Sequence, residues 1–164
     1  MYKMPSLRAA NPLHFFATGF GAGFAPWAPG TFGSLMGWGT FVIVNPLIPS
    51  LGWAILIPLF WVLGAAACQV VSKEIGQQDP PQLAIDEVVA MWLVLSLLPQ
   101  TNPGWAGQLM GFALFRLFDI VKRGPVGWVD RNIHGGVGIM LDDIVAAVLA
   151  VIAGVGLIWL KMQF

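Results

Sequence analysis

The sequence predicts an all-α integral membrane protein: a helical bundle with about four to five membrane-embedded helices in a single domain, residues 1–164. Composition is the first observation behind this. The chain is 57% hydrophobic and 10% charged, whereas a soluble domain carries about 25% charged residues. So few charges cannot cover a surface that faces water. The second observation is placement. No Asp, Glu, Lys or Arg occurs between Arg8 and Lys73, an interval long enough for two spans of about 20 residues each. The formal net charge is zero, so no basic field points to nucleic acid, and none is expected as a partner.

The elements follow in order. Met1 to Leu13 carries Lys3 and Arg8 but also Pro5, Asn11 and Pro12. No compact apolar core with a small-residue cleavage site follows, so a signal peptide is not expected. Gly33 to Val44 reads as most of a first span and Gly52 to Val71 as a second, with Asn45, Pro46 and Pro49 turning the chain between them. Cys68 lies inside the second run and reads as a packing residue. A third apolar run goes from Val88 to Leu98 and stops at Pro99. A fourth goes from Trp105 to Phe118, after the uncharged turn from Gln100 to Gly104. Both are too short to span unaided, so each must borrow length from its charged end or sit as a partly re-entrant hairpin. A fifth run covers Ile139 to Leu160, with Lys161 beyond it.

With five spans, every charged segment except Lys161 falls on one side, and the positive-inside bias makes that side cytoplasmic. The eight tryptophans suit interfacial anchoring. Asp86, Asp119, Asp142 and Asp143 sit at the ends of apolar segments. An ionised Asp at mid-helix costs about 2.5–3.5 kcal/mol on insertion scales, so such residues usually face a partner or a cavity.

Four constellations could carry chemistry. Thr18 to Ser34 is glycine-rich and ends in Pro29-Gly30-Thr31-Phe32-Gly33-Ser34. Exposed N–H groups at a helix start, with the Thr31 and Ser34 hydroxyls, would cradle an anion. Gly19, Gly21 and Gly23 equally match close helix packing. Asp86-Glu87 at a helix start suits either the helix dipole or a hard cation such as Mg²⁺. Arg116, Asp119 and Lys122 are spaced three apart and can share one face, as a salt-bridge ladder or as a carboxylate flanked by cations for a phosphate. Asp142-Asp143 enters the last apolar helix behind Gly135-Gly136-Val137-Gly138. If Asp142 faces the bundle, Asp143 is turned about 100° around the axis.

Taken together, these stretches resemble the phosphatidylglycerophosphatase A family of bacterial inner-membrane lipid phosphatases. The matching residues are Pro26-x-Ala28-Pro29-Gly30-Thr31-x-Gly33-Ser34, Ile85-Asp86-Glu87-Val88-Val89, Phe115-Arg116-x-Phe118-Asp119-Ile120-x-Lys122 and Gly135-Gly136-x-Gly138-Ile139-Met140-x-Asp142-Asp143. They occur in the family's order and cover about Thr18 to Ala147; four motifs in register are far more specific than any one. Two positions depart. Ala90 stands where glycine is expected, and Arg123-Gly124 replaces the Pro expected after the lysine, although Pro125 remains.

The resemblance implies a multi-pass protein of the bacterial inner (cytoplasmic) membrane with its active site on the cytoplasmic side. It implies Mg²⁺-dependent hydrolysis of phosphatidylglycerophosphate to phosphatidylglycerol and phosphate, with membrane lipids as surroundings and a phospholipid as substrate. The expected metal ligands are Asp86, Asp119 and Asp142. Lys122 and Arg116 would offset phosphate charge, Glu87 or Asp143 would act as base, and Thr31 and Ser34 would bind substrate. Two other readings make different demands on the sequence. A small ion- or proton-coupled carrier would place its charges at mid-span, and no inverted repeat is visible. A purely structural subunit would tolerate neutralisation of the four aspartates. Oligomeric state is not legible in the sequence.

Overall fold

The computed structural model describes residues 7–98 and 104–163. The expectations placed on Lys3, Pro5, Pro99 and the turn residues 100–103 lie outside them. Every regular element among the described residues is helical. They are α1 (Pro12–Ala17), a 3-10 turn at Ala22–Phe24, α2 (Pro29–Val44), α3 (Ser50–Ile75), α4 (Ile85–Leu97), α5 (Gly104–Val121), α6 (Pro125–Asn132) and α7 (Gly135–Lys161).

The five long helices match the five apolar runs, extended at their polar ends. α4 begins at Ile85 rather than Val88, which puts Asp86 and Glu87 in its first turn, where the helix dipole favours negative charge. α7 begins at Gly135, so Asp142 and Asp143 lie about two turns inside it. Two short helices fall in segments that carry no apolar run. α1 is started by the Asn11 side chain, which accepts from the Leu13 N–H at 2.9 Å, with Pro12 in the first turn. α6 starts on Pro125 after Gly124 and exposes Trp128.

α4 is the axis of the bundle. It packs against α2, α3, α5 and α7, and Ile85, Val88, Val89, Ala90, Met91 and Val94 are fully buried. Ala90, one of the departures from the expected motif, is therefore a core position. Close approach of α2 depends on Gly37: a Cβ there would lie 2.7 Å from the Val88 carbonyl oxygen and 2.9 Å from Met91 Cβ. Gly33, one turn earlier, faces Ala84 in the same way, and the close packing expected of the earlier glycines is present as well: a Cβ at Gly19 would lie 2.7 Å from the Ala84 carbonyl oxygen, and one at Gly23 would collide with the Gln82 carbonyl. Gly19 and Gly21 have positive φ and shape the chain leading into α2.

Two helices, α3 with 26 residues and α7 with 27, are long and apolar enough to cross a membrane. At 1.5 Å per residue each is about 40 Å long, against about 30 Å of hydrocarbon. Their outer faces expose Leu51, Ile55, Leu59 and Val62 on α3 and Val148, Ile152 and Val155 on α7. Asp86, Asp119, Asp142 and Asp143 are all buried. Carboxylates inside and bare aliphatic faces outside reverse the distribution of a water-soluble domain and are consistent with a membrane protein.

Candidate active site

One cavity of about 330 Å³ gathers side chains from five parts of the chain. α4 contributes Asp86 and Glu87, α5 contributes Arg116 and Asp119, and Lys122 follows α5. α7 contributes Asp142 and Asp143, the start of α2 contributes Gly30, and the loop between α3 and α4 contributes Asp79. All three helices present their polar residues at the same end because α4 starts where α5 stops and where α7 has run two turns.

Within the cavity the charges divide into two sets. Arg116 pairs with Asp119 one turn below it, and Nη1 also lies 3.4 Å from the Ser34 hydroxyl. Lys122 Nζ bridges Asp142 Oδ2 at 2.6 Å and Asp130 Oδ1 at 2.7 Å. Lys122 holds φ at +44°, in the left-handed region. A non-glycine residue pays for that conformation with about 1–3 kcal/mol, and such residues cluster at functional sites. Burial works against the Lys122 charge, but the hydrogen bonds to Asp130 and Asp142 outweigh it and push the ammonium pKa above its ordinary value. Lys122 therefore stays cationic across the physiological range. Burial also raises the Asp79 carboxyl, partly opposed by the nearby Lys122 charge.

The second set has no cation of its own. Asp86, Glu87 and Asp143 each bring a carboxylate oxygen to within 4.8 Å of the others. Asp86 Oδ1, Glu87 Oε2 and Asp143 Oδ2 are buried and accept no hydrogen bond, and Arg116 Nε is likewise unpartnered. Three carboxylates so close repel one another strongly unless a cation or protons intervene. An all-oxygen donor set of this kind fits a hard divalent cation such as Mg²⁺.

The structure thus brings the expected residues together but sorts them differently. Asp86 is in the triad. Asp119 and Asp142 line the same cavity, yet each is engaged by a cation, while Glu87 and Asp143 supply the free oxygens beside Asp86. Ser34 is buried, donates to the Gly30 carbonyl at 2.9 Å and faces Arg116. Thr31 is not among the lining residues; its N–H closes the first turn of α2 on Ala28. Gly30 takes its place: a Cβ there would collide with Glu87 Oε1 and lie 3.3 Å from the Arg116 guanidinium. Sequence reasoning passed over Asp79 and Asp130. Both sit in loop or short-helix segments without periodicity, and only their carboxylate chemistry hinted at them.

An all-helical bundle with two membrane-length apolar helices and a carboxylate–cation cavity at one end defines the class: a helical protein, consistent with a membrane protein, with a charged polar site. Comparison with known proteins identifies the family. The family description of phosphatidylglycerophosphatase A matches residues 15–158. Phosphatidylglycerophosphatase A of Escherichia coli K12 is 38% identical over 144 residues, covering 88% of this chain and 82% of that protein. The same enzyme of Haemophilus influenzae Rd is 40% identical over 142 residues, covering 87% and 86%. A protein of Bacteroides thetaiotaomicron named as a candidate phosphatidylinositol-3-phosphatase is 39% identical over 140 residues, covering 82% and 86%. No solved structure matches. This chain belongs to the phosphatidylglycerophosphatase A family and is, with it, a phosphatase. The carrier alternative is not favoured.

Proposed function

We propose that the protein hydrolyses phosphatidylglycerophosphate to phosphatidylglycerol and inorganic phosphate in a Mg²⁺-dependent reaction at the cytoplasmic face of the bacterial inner membrane. Four to five of its helices would be membrane-embedded: α3 and α7 span, α2 and α5 flank them, and α4 is shielded by its neighbours despite its length of 13 residues. The observation that carries the proposal is the triad of buried Asp86, half-buried Glu87 and buried Asp143, which lines one cavity with Arg116 and Lys122.

Asp86, Glu87 and Asp143 would hold the ion, with Asp142 and Asp119 beside them. When bound, it would supply positive charge to the phosphoryl oxygens and acidify a nearby water. Arg116, with Nε free, would offset the charge that develops on the phosphoryl group, and Lys122 would add a second fixed cation. A carboxylate of the triad would take the proton from water as its oxygen bonds to phosphorus. The phosphorus–oxygen bond to the lipid glycerol breaks, and the leaving oxygen takes up the proton that the carboxylate removed from water, giving the lipid alcohol. The candidates for that base are Glu87 and Asp143, each through the oxygen it does not give to the ion. Gly30, lacking a side chain, leaves the α2 start open to a phosphoryl oxygen, and Ser34 orients Arg116 from behind.

The test is phosphate release by purified protein from phosphatidylglycerophosphate and, separately, from phosphatidylinositol 3-phosphate, with Mg²⁺ and with a chelator. Chelator-insensitive turnover removes the metal. Preference for the inositol lipid replaces the substrate while leaving the phosphatase standing. A second reading, as an inositol-lipid phosphatase, has support only in the name of the Bacteroides relative.

A further inference from the structure

A second polar cavity, about 350 Å³, opens where the end of α3 meets the start of α7. Gln69, Ser72, Lys73, Gln77, Gln78 and His134 line it together with Gly76 and Gly135. No carboxylate is among its lining residues, in contrast to the acidic cavity beside it. A smaller cavity lined by Asp79, Asp130 and Asp142 separates the two and shares Gln78, His134 and Gly135 with this one.

Its donors are largely unspent. The Ser72 side chain is 5% exposed, and its hydroxyl is buried without a hydrogen-bond partner. Such a group is destabilising if nothing satisfies it. Lys73 forms no ion pair among the described residues; its neighbour Glu74 is engaged on the far side by His14 at 2.8 Å. Gln77, Gln78 and His134 make no side-chain hydrogen bond among the described residues. Gln69 is the exception: its Oε1 accepts from the Gly136 N–H at 2.9 Å, which leaves its amide N–H groups free. The first turn of the 27-residue α7 forms one wall and adds the positive end of its dipole. A cation, a buried unpartnered hydroxyl, three amides and a helix start surround a space that holds no competing negative charge.

We propose that this cavity is a second anion-binding site, distinct from the hydrolytic one, that takes a phosphate group. Its ligand is either free inorganic phosphate or the phosphate of an anionic phospholipid headgroup, both of which present oxygens to amide, hydroxyl and ammonium donors. Ser72 and Lys73 are the residues on which binding depends most. The site would respond to phosphate or to anionic lipid around the enzyme rather than to the bond being cleaved. It goes beyond the proposed hydrolysis and does not require it.

The experiment measures binding of inorganic phosphate to the purified full-length protein in an uncharged detergent, by ³¹P NMR, with chelator and without lipid substrate. Wild type and Arg116→Gln should both bind phosphate, and Lys73→Arg should bind nearly as well. The Ser72→Ala/Lys73→Gln double variant should bind about tenfold more weakly or worse, as loss of a charge-assisted contact implies. Retention of Lys73→Arg binding guards against misfolding as the cause. Displacement of phosphate by short-chain phosphatidylglycerol but not phosphatidylcholine assigns the site to a lipid headgroup; no displacement by either assigns it to free phosphate. Unchanged binding in the double variant overturns the proposal. So does loss confined to Arg116→Gln, or the absence of saturable binding in the wild type. Because nothing is turned over, a failed hydrolysis assay leaves this result intact.

Discussion

The two ends of the bundle hold cavities of similar size and opposite character. At one end, about 330 Å³ is lined by Asp79, Asp86, Glu87, Asp119, Asp142 and Asp143 with Arg116 and Lys122. At the other, about 380 Å³ is lined by Asn45, Ile48, Pro49, Ser50, Trp53 and Ser96, with no charge at all. The uncharged end also settles its polar atoms internally. Trp53 Nε1 donates to Asn45 Oδ1 at 3.1 Å, its ring stacks on Phe41, and the Ser96 hydroxyl donates to the Leu93 carbonyl. The charged end leaves three carboxylate oxygens and a guanidinium nitrogen without partners. A polar cavity is ordinary at a helix turn. Unsatisfied buried charge is costly, and among the described residues it persists at one end only.

This contrast can be broken most directly at the triad. Asp86→Asn and Asp143→Asn should each lower phosphate release by about a thousandfold or more, several kcal/mol of transition-state stabilisation. Both variants should still purify as folded protein, since each removes one of three mutually repelling charges. Wild-type-like turnover in both would end the metal assignment. Arg116→Gln comes next, with kcat/KM expected to fall about a hundredfold or more. It also strips Asp119 of its partner, so a lower unfolding temperature should accompany the kinetic loss.

Asp130→Asn sharpens the comparison rather than breaking it. Lys122 keeps Asp142, and the lost pair is partly solvent-exposed, so activity should fall by less than about tenfold, measured as kcat/KM. The smallest effect on turnover belongs to the uncharged end. Asn45→Ala should cost about 1 kcal/mol of stability, seen in thermal unfolding, with turnover within about twofold of wild type. A large loss of activity there would mean that the two ends are coupled.

Much of the fold was legible because bilayer-length apolar runs admit few structures other than helices. The five runs map onto α2, α3, α4, α5 and α7, and the shortness of the Val88 run is real: α4 ends at Leu97 and is enclosed by its neighbours. α1 and α6 escaped because their signals are single caps and prolines, Asn11-Pro12 and Gly124-Pro125, without periodicity behind them. Among site residues, Asp86, Asp142 and Asp143 stood out as carboxylates against apolar sequence. Thr31 was drawn in by its motif, but the helix turn claims its N–H and the glycine beside it reaches the cavity.

By itself the sequence determined the helical class, the clustering of charge into a few segments and the membership of Asp86, Glu87, Arg116, Asp119, Lys122, Asp142 and Asp143 in one polar set. These follow from local chemistry: hydropathy, helical repeat and the cost of a charge beside lipid. Which carboxylates pair with cations and which stay free was decided only by tertiary structure. Two adjacent aspartates, Asp142 and Asp143, differ by one step around a helix, and the neighbour each meets is set by how α5 and α4 pack on α7. Arg116 and Lys122 reach Asp119 and Asp142, and the oxygens they leave over define the pocket.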